Sequence, residues 1–152
     1  MTTLQFKTTI NATIEVVFDL SRSIDFHLKS LSHTKEKAIS GRTSGLIEFG
    51  EEVTFKGKHY GRNFTHTSKI TQYDFPHHFE DFMIKGIFKY FKHQHSFKTE
   101  NDKTIMEDIV IYELPFGFFG KVLNFVLVKV YLKKMLKTRN SAIKREAEFF
   151  TK

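Results

Sequence analysis

Apolar and polar positions alternate along the first three quarters of the chain and then change to a helical period. Residues 3–10 place Leu4, Phe6, Thr8 and Ile10 on one side, the two-residue period of a half-buried strand. Asn11 caps the segment that follows, where Ile14, Val17, Phe18 and Leu20 recur at helical spacing. A second short helix is predicted over 24–31. Residues 35–41 and 45–60 are rich in glycine and β-formers and predict strands, with a hairpin at Tyr60-Gly61. The strand pattern continues over 63–73, where Phe64, Ser68 and Ile70 alternate with polar positions.

Residues 79–85, 88–98 and 104–114 read as three further strands joined by short connections. A tight hairpin is predicted at residues 85–89, around Gly86, and a turn at Glu100-Asn101-Asp102-Lys103. Pro115-Phe116-Gly117 then ends the strand pattern. From 118 to 149 there is no proline, and Gly120 is the one glycine. Phe119, Val122, Leu123, Val126, Val130, Leu136, Ile143 and Ala147 sit against Lys121, Lys129, Lys133, Lys137, Lys144 and Arg145. This predicts an amphipathic helix of about thirty residues whose apolar stripe faces a sheet. The whole chain, 1–152, is expected to form one α+β domain. A curved antiparallel sheet of six to seven strands surrounds a long C-terminal helix, with two short helices after the first strand.

Alternation also assigns faces. Phe91, His93, His95 and Phe97 share one side of their strand, and the lysines of that strand share the other, so the first set faces inward. The two turns fix registers that place Lys85 opposite Lys89, Asp81 opposite His93 and Phe79 opposite His95. They also place His95 opposite Asp108, Phe97 opposite Met106, and Phe91 opposite Tyr112. Each register brings a carboxylate beside a histidine. Four readings fit such a cluster: a hydrogen-bonded structural network, the polar end of a ligand pocket, an acid–base pair, or a divalent-metal site. His77-His78 follows Pro76 in a turn exposed to solvent, and His27, His33, His59 and His66 have no ligand spacing.

Composition narrows the classes. The chain has no cysteine, which excludes disulfides and thiolate chemistry. Eighteen phenylalanines and no tryptophan suit a large core or an apolar pocket. The net charge is +7, but nucleic-acid signatures are missing and the lysines are spread out, so no nucleic-acid partner is expected. The N-terminus lacks the apolar core of a leader, and the run Phe125–Val128 is far too short to span a bilayer. A cytoplasmic protein without stable membrane insertion is expected.

Phe79-x-Asp81, Gly86, Phe91-x-His93-x-His95-x-Phe97, Thr104, Asp108-x-Val110-x-Tyr112, Pro115-x-Gly117 with Gly120, and Arg139 together carry a resemblance. The chain resembles the START-like, or SRPBCC, superfamily of polyketide cyclases and aromatases, lipid-transfer domains and pollen-allergen relatives. Within it the chain is similar to a bacterial cyclase/dehydrase-like branch, sometimes fused to a sugar-nucleotide epimerase-like domain. The first half matches only through the opening strand and Val16-Val17-Phe18. Relatives in that branch often have proline and an indole where this chain has Ile87 and Phe91.

The resemblance implies a helix-grip fold with an apolar cavity, and no substrate. The leading expectation is a binder or carrier of a small hydrophobic molecule: a lipid, an aromatic polyketide-like compound or an isoprenoid. Phe79, Phe91, Phe97 and Tyr112 would line the site, with Asp81, His93, His95 and Asp108 as polar contacts and no cofactor. A cyclase or dehydratase working without metal through His93 or His95, with Asp81 and Asp108, is the second. A regulatory module docking on membrane or ribosome through the basic helix is the third.

Overall fold

The computed structural model describes residues 1–151. Strand β1 (Thr2–Ile10) leads into the short helices α1 (Ile14–Arg22) and α2 (Ile24–Ser30). Six strands follow: β2 (Lys37–Gly41), β3 (Glu52–His59), β4 (Arg62–Asp74), β5 (His78–Lys85), β6 (Tyr90–Glu100) and β7 (Lys103–Glu113). The chain ends in α3 (Gly117–Leu123), a π-helical turn (Asn124–Val128) and α4 (Lys129–Phe150). All seven strands form one antiparallel sheet in the order β1-β7-β6-β5-β4-β3-β2. Bulges at Ala38/Ser40, Thr67/Ser68 and Ile70/Gln72 interrupt the ladders, and such bulges bend a sheet. Together these elements make the expected helix-grip α+β architecture.

All but one of the pairings read from the turns are present. Asp81 pairs with His93 and Phe79 with His95. His95 pairs with Asp108, Phe97 with Met106, Phe91 with Tyr112, and Glu100 with Lys103. Asn101 and Asp102 both take left-handed backbone angles, the two-residue turn that matches strand twist. The other hairpin is looser. Pairing of β5 with β6 stops at Phe82 and Lys92, so Lys85 and Lys89 are not ladder partners. Residues 45–60 also differ from expectation. Gly45 and Gly50 both adopt positive φ, breaking the extended backbone, and the strand begins at Glu52.

Two apolar clusters fill the interior. In the first, Phe18 of α1 is fully buried, with Tyr73, Phe75, Phe79 and Phe97 edge-on at 5.1–5.5 Å. Burying one such ring contributes roughly 2–3 kcal/mol. In the second, Leu132 and Leu136 of α4 cover Leu4, Val110 and Tyr112.

The terminal helix departs from the predicted stripe. Leu132, Leu136, Arg139, Asn140, Ile143 and Ala147 are buried, as expected for Leu136, Ile143 and Ala147. Phe119, Val122, Leu123, Val126 and Val130 are exposed. The reversal at Phe116 and Gly117, both left-handed, sets the start of α3, and the π-helical turn inserts an extra residue into the helical register. Gly120 fits here because a Cβ would collide with the Pro115 carbonyl.

Candidate functional site

The concave face of β4–β7 carries a chain of polar side chains beneath α4. Period-two alternation puts His93 and His95 on this face together, their ring centroids 3.8 Å apart. The antiparallel ladders set Asp81 on one side of them and Asp108 on the other. His93 Nε2 lies 3.0 Å from Asp108 Oδ1 in a hydrogen bond, and His95 Nε2 lies 3.3 Å from Asp81 Oδ2. His95 Nδ1 is only 2.8 Å from Asp108 Oδ1 but off the line of a hydrogen bond. Asp81 also accepts from Ser68 Oγ at 3.3 Å, and Ser68 meets His66 Nε2 at 2.8 Å.

The helix closes the cluster from above. Asn140 Nδ2 donates to Asp108 Oδ2 at 2.7 Å, and Arg139 Nη2 donates to the Ser21 carbonyl at 2.7 Å. Arg139 Nη1 stands 4.0 Å from Asp108 Oδ1. Asp108 is fully buried, so this guanidinium is its long-range counter-charge. Among the described residues, three buried side-chain polar atoms have no hydrogen-bond partner: His95 Nδ1, Arg139 Nη1 and Asn140 Oδ1.

These surroundings tune the ionisable groups in opposite directions. Burial works against ionised Asp81, but the His95 hydrogen bond and the nearby His93 outweigh it and hold the carboxyl at about 2. Asp108 is likewise opposed by burial, yet the His93 and His95 imidazoles hold it well below the usual carboxylate range. Burial, with His95 alongside, pushes His93 down toward its neutral form. His66 is lowered chiefly by burial too.

Aromatic side chains flank the cluster unequally. Phe79 stacks on His95 at 4.2 Å, and with Phe97 it belongs to the core around Phe18. Tyr112 is fully buried and donates its hydroxyl to Asn124 Oδ1 at 2.6 Å. Phe91 is only half-buried, edge-on to His66 at 5.4 Å and near Phe88 at 5.0 Å. Beyond it Phe64 is also half-buried, near His59, whose Nδ1 bonds the Tyr131 hydroxyl of α4 at 2.5 Å. The helix thus rests on Leu4 at one edge and reaches His59 near the other. Two surface depressions, one at residues 41–52 and one along the lysines of α4, share no residue with the cluster.

Sequence reasoning brought together Asp81, His93, His95 and Asp108, and the structure places all four within one network. His66, Ser68, Arg139 and Asn140 as members of it were missed. Asn140 carried a signal: it falls at a buried helical position between Leu136 and Ile143, where a polar residue needs a partner. His66 carried one too: it shares the alternation of Phe64, Ser68 and Ile70 on one face of its strand, and the shift at Thr67/Ser68 places its extra residue, Ile84, on β5. Asp81, His93 and His95 each offer one ligand atom within 4.8 Å of the others, a donor set that suits a divalent transition ion.

No family profile matches the chain, and no curated protein matches it in sequence. Solved structures do match along nearly its whole length. TTHA0849 from Thermus thermophilus superposes with a TM-score of 0.72 at 16% identity, covering 93% of this chain and 97% of its own. A START superfamily protein from Mycobacterium smegmatis gives 0.72 at 11% identity, covering 97% and 98%. Ginseng major latex-like protein 151 from Panax ginseng gives 0.64 at 12% identity, covering 96% and 97%. With the sheet order, the two short helices and the terminal helix in place, this chain has the helix-grip fold of the START-like proteins.

Proposed function

We propose that the protein binds a small, mainly apolar molecule between the concave sheet and α4. One observation carries the reading: a half-buried aromatic surface borders a buried polar cluster whose pairing is incomplete. Phe64, His66 and Phe91 supply the aromatic surface, between the two places where the helix touches the sheet. Arg139 Nη1 is an unused donor and Asn140 Oδ1 an unused acceptor. Buried polar atoms are normally paired, so a ligand carbonyl, hydroxyl or carboxylate would complete the set. A lipid, an aromatic polyketide-like compound or an isoprenoid has that form: an apolar body with one polar end.

Within this reading Phe91 and Tyr112 meet the apolar body, and His93, His95, Asp81 and Asp108 orient the polar end. Phe79 and Phe97 stand behind them as a rigid floor packed on Phe18. The test is uptake of an apolar fluorescent probe by wild type and by Phe91→Asp. A charge at this half-buried position abolishes uptake while the circular dichroism spectrum is kept. A folded Phe91→Asp variant that takes up the probe as well as wild type would reject the site.

A further inference from the structure

We propose that the segment from Phe116 to Val130 is a docking surface for an anionic lipid bilayer. Phe116, Phe118, Phe119 and Phe125 each expose between 75% and 80% of their surface, and Val126 and Val130 expose about three fifths. Single exposed apolar residues are ordinary, but a continuous run of this size marks an interaction surface. The segment cannot span a bilayer, because no described helix is long and apolar enough to cross one. A shallow seat at the headgroup boundary is the geometry left to an exposed apolar helix of this length.

Charge selects the partner. Directly beyond the apolar run, the outer face of α4 turns basic at Lys133, Lys134 and Lys137, all exposed. With Thr138, Ser141 and Arg145 these residues line a shallow depression. Apolar rings followed by a cluster of ammonium groups match acyl chains followed by phosphate headgroups. A second copy of the chain fits poorly, since each copy carries a net charge of +7 and would bring lysines against lysines. The segment is tied to the sheet through Asn124 and through the Leu127 carbonyl, which accepts from the Tyr60 hydroxyl at 3.4 Å. Asn124 accepts from Tyr112 and donates to Thr2 Oγ1, so the rings can enter lipid without unfolding the helix.

The six positions substituted below lie outside the ligand site, so the test is independent of that reading. Wild type is sedimented with vesicles of pure phosphatidylcholine and with vesicles containing about one third phosphatidylglycerol, at low and at roughly 0.5 M salt. Binding to the anionic vesicles is expected, with loss at high salt and little binding to the neutral ones. Phe118→Glu/Phe119→Glu/Phe125→Glu weakens binding by at least about a hundredfold. Lys133→Glu/Lys134→Glu/Lys137→Glu weakens it on the order of a hundredfold or more. All six positions are exposed, so both variants keep the wild-type melting temperature. Wild type left in the supernatant with anionic vesicles overturns the proposal, as does unchanged binding in the phenylalanine variant. Light scattering is the remaining arm: a dimer dispersed by the phenylalanine substitutions, without vesicle binding, assigns the surface to self-association instead.

Discussion

The two halves of the C-terminal helical segment have opposite fates, and the more apolar half is the exposed one. From Leu132 to Ala147 the apolar side chains face the sheet and α1, and the lysines face out. From Phe116 to Val130 the large apolar side chains stand in solvent. The outer half is nearly continuously apolar and the inner half a narrow stripe, so the difference comes from what lies opposite and not from hydrophobicity. The inner half sits over Leu4, Val110 and Ile10, while the outer half is held through Asn124, the Leu127 carbonyl and Val128. A stripe of apolar residues declares that something covers it, and does not declare whether the partner is in the same chain.

Substitutions can break that contrast, the inner half first. Asp108→Asn leaves the Arg139 guanidinium buried without its carboxylate, and a loss of about 3–5 kcal/mol is expected in urea unfolding. Ile143→Ala, at a fully buried position, opens a cavity and costs about 2–5 kcal/mol by the same measurement. Phe119→Ser in the outer half changes stability by no more than about 0.5 kcal/mol, because nothing of the protein covers the ring. Were Phe119→Ser as damaging as Ile143→Ala, the outer half would be core and the contrast false.

Acid sharpens the same comparison, because the inner half covers the titrating groups. His93 is depressed when folded, so its contribution is complete above its ordinary value of 6.5 and declines as the pH falls below it. Asp81, lowered from 3.8 to about 2, contributes fully above the first value and loses that contribution as the pH falls through the second. Melting temperature should therefore be flat above about pH 6.5 and fall in two stages below it. His93→Gln shrinks the upper stage, the rest of which belongs to His66 and His59, both lowered chiefly by burial. A curve indifferent to that substitution would show that the imidazole is not held neutral by its surroundings.

The sheet was legible because turn chemistry and alternation reinforce each other. Asn101-Asp102 fixed one register by residue type, and the inward histidines then met Asp108 as expected. The pairing of β5 with β6 was found through Gly86, although the hairpin opens beyond Phe82. What escaped was set by non-periodic detail. The π-helical turn shifts the helical register and the Phe116–Gly117 reversal sets where the outer helix starts. Neither leaves a mark in a two-state pattern of apolar and polar letters.

The central claim is that an apolar ligand enters between α4 and the sheet, not onto the exposed outer helix. Titrating an apolar probe while following backbone amide resonances separates the two places directly. The account predicts saturable shifts at Phe64, His66, Phe91, Tyr131 and Asn140, retained in Phe118→Glu/Phe119→Glu. Shifts confined to residues 116–130, and lost in that variant, would contradict it.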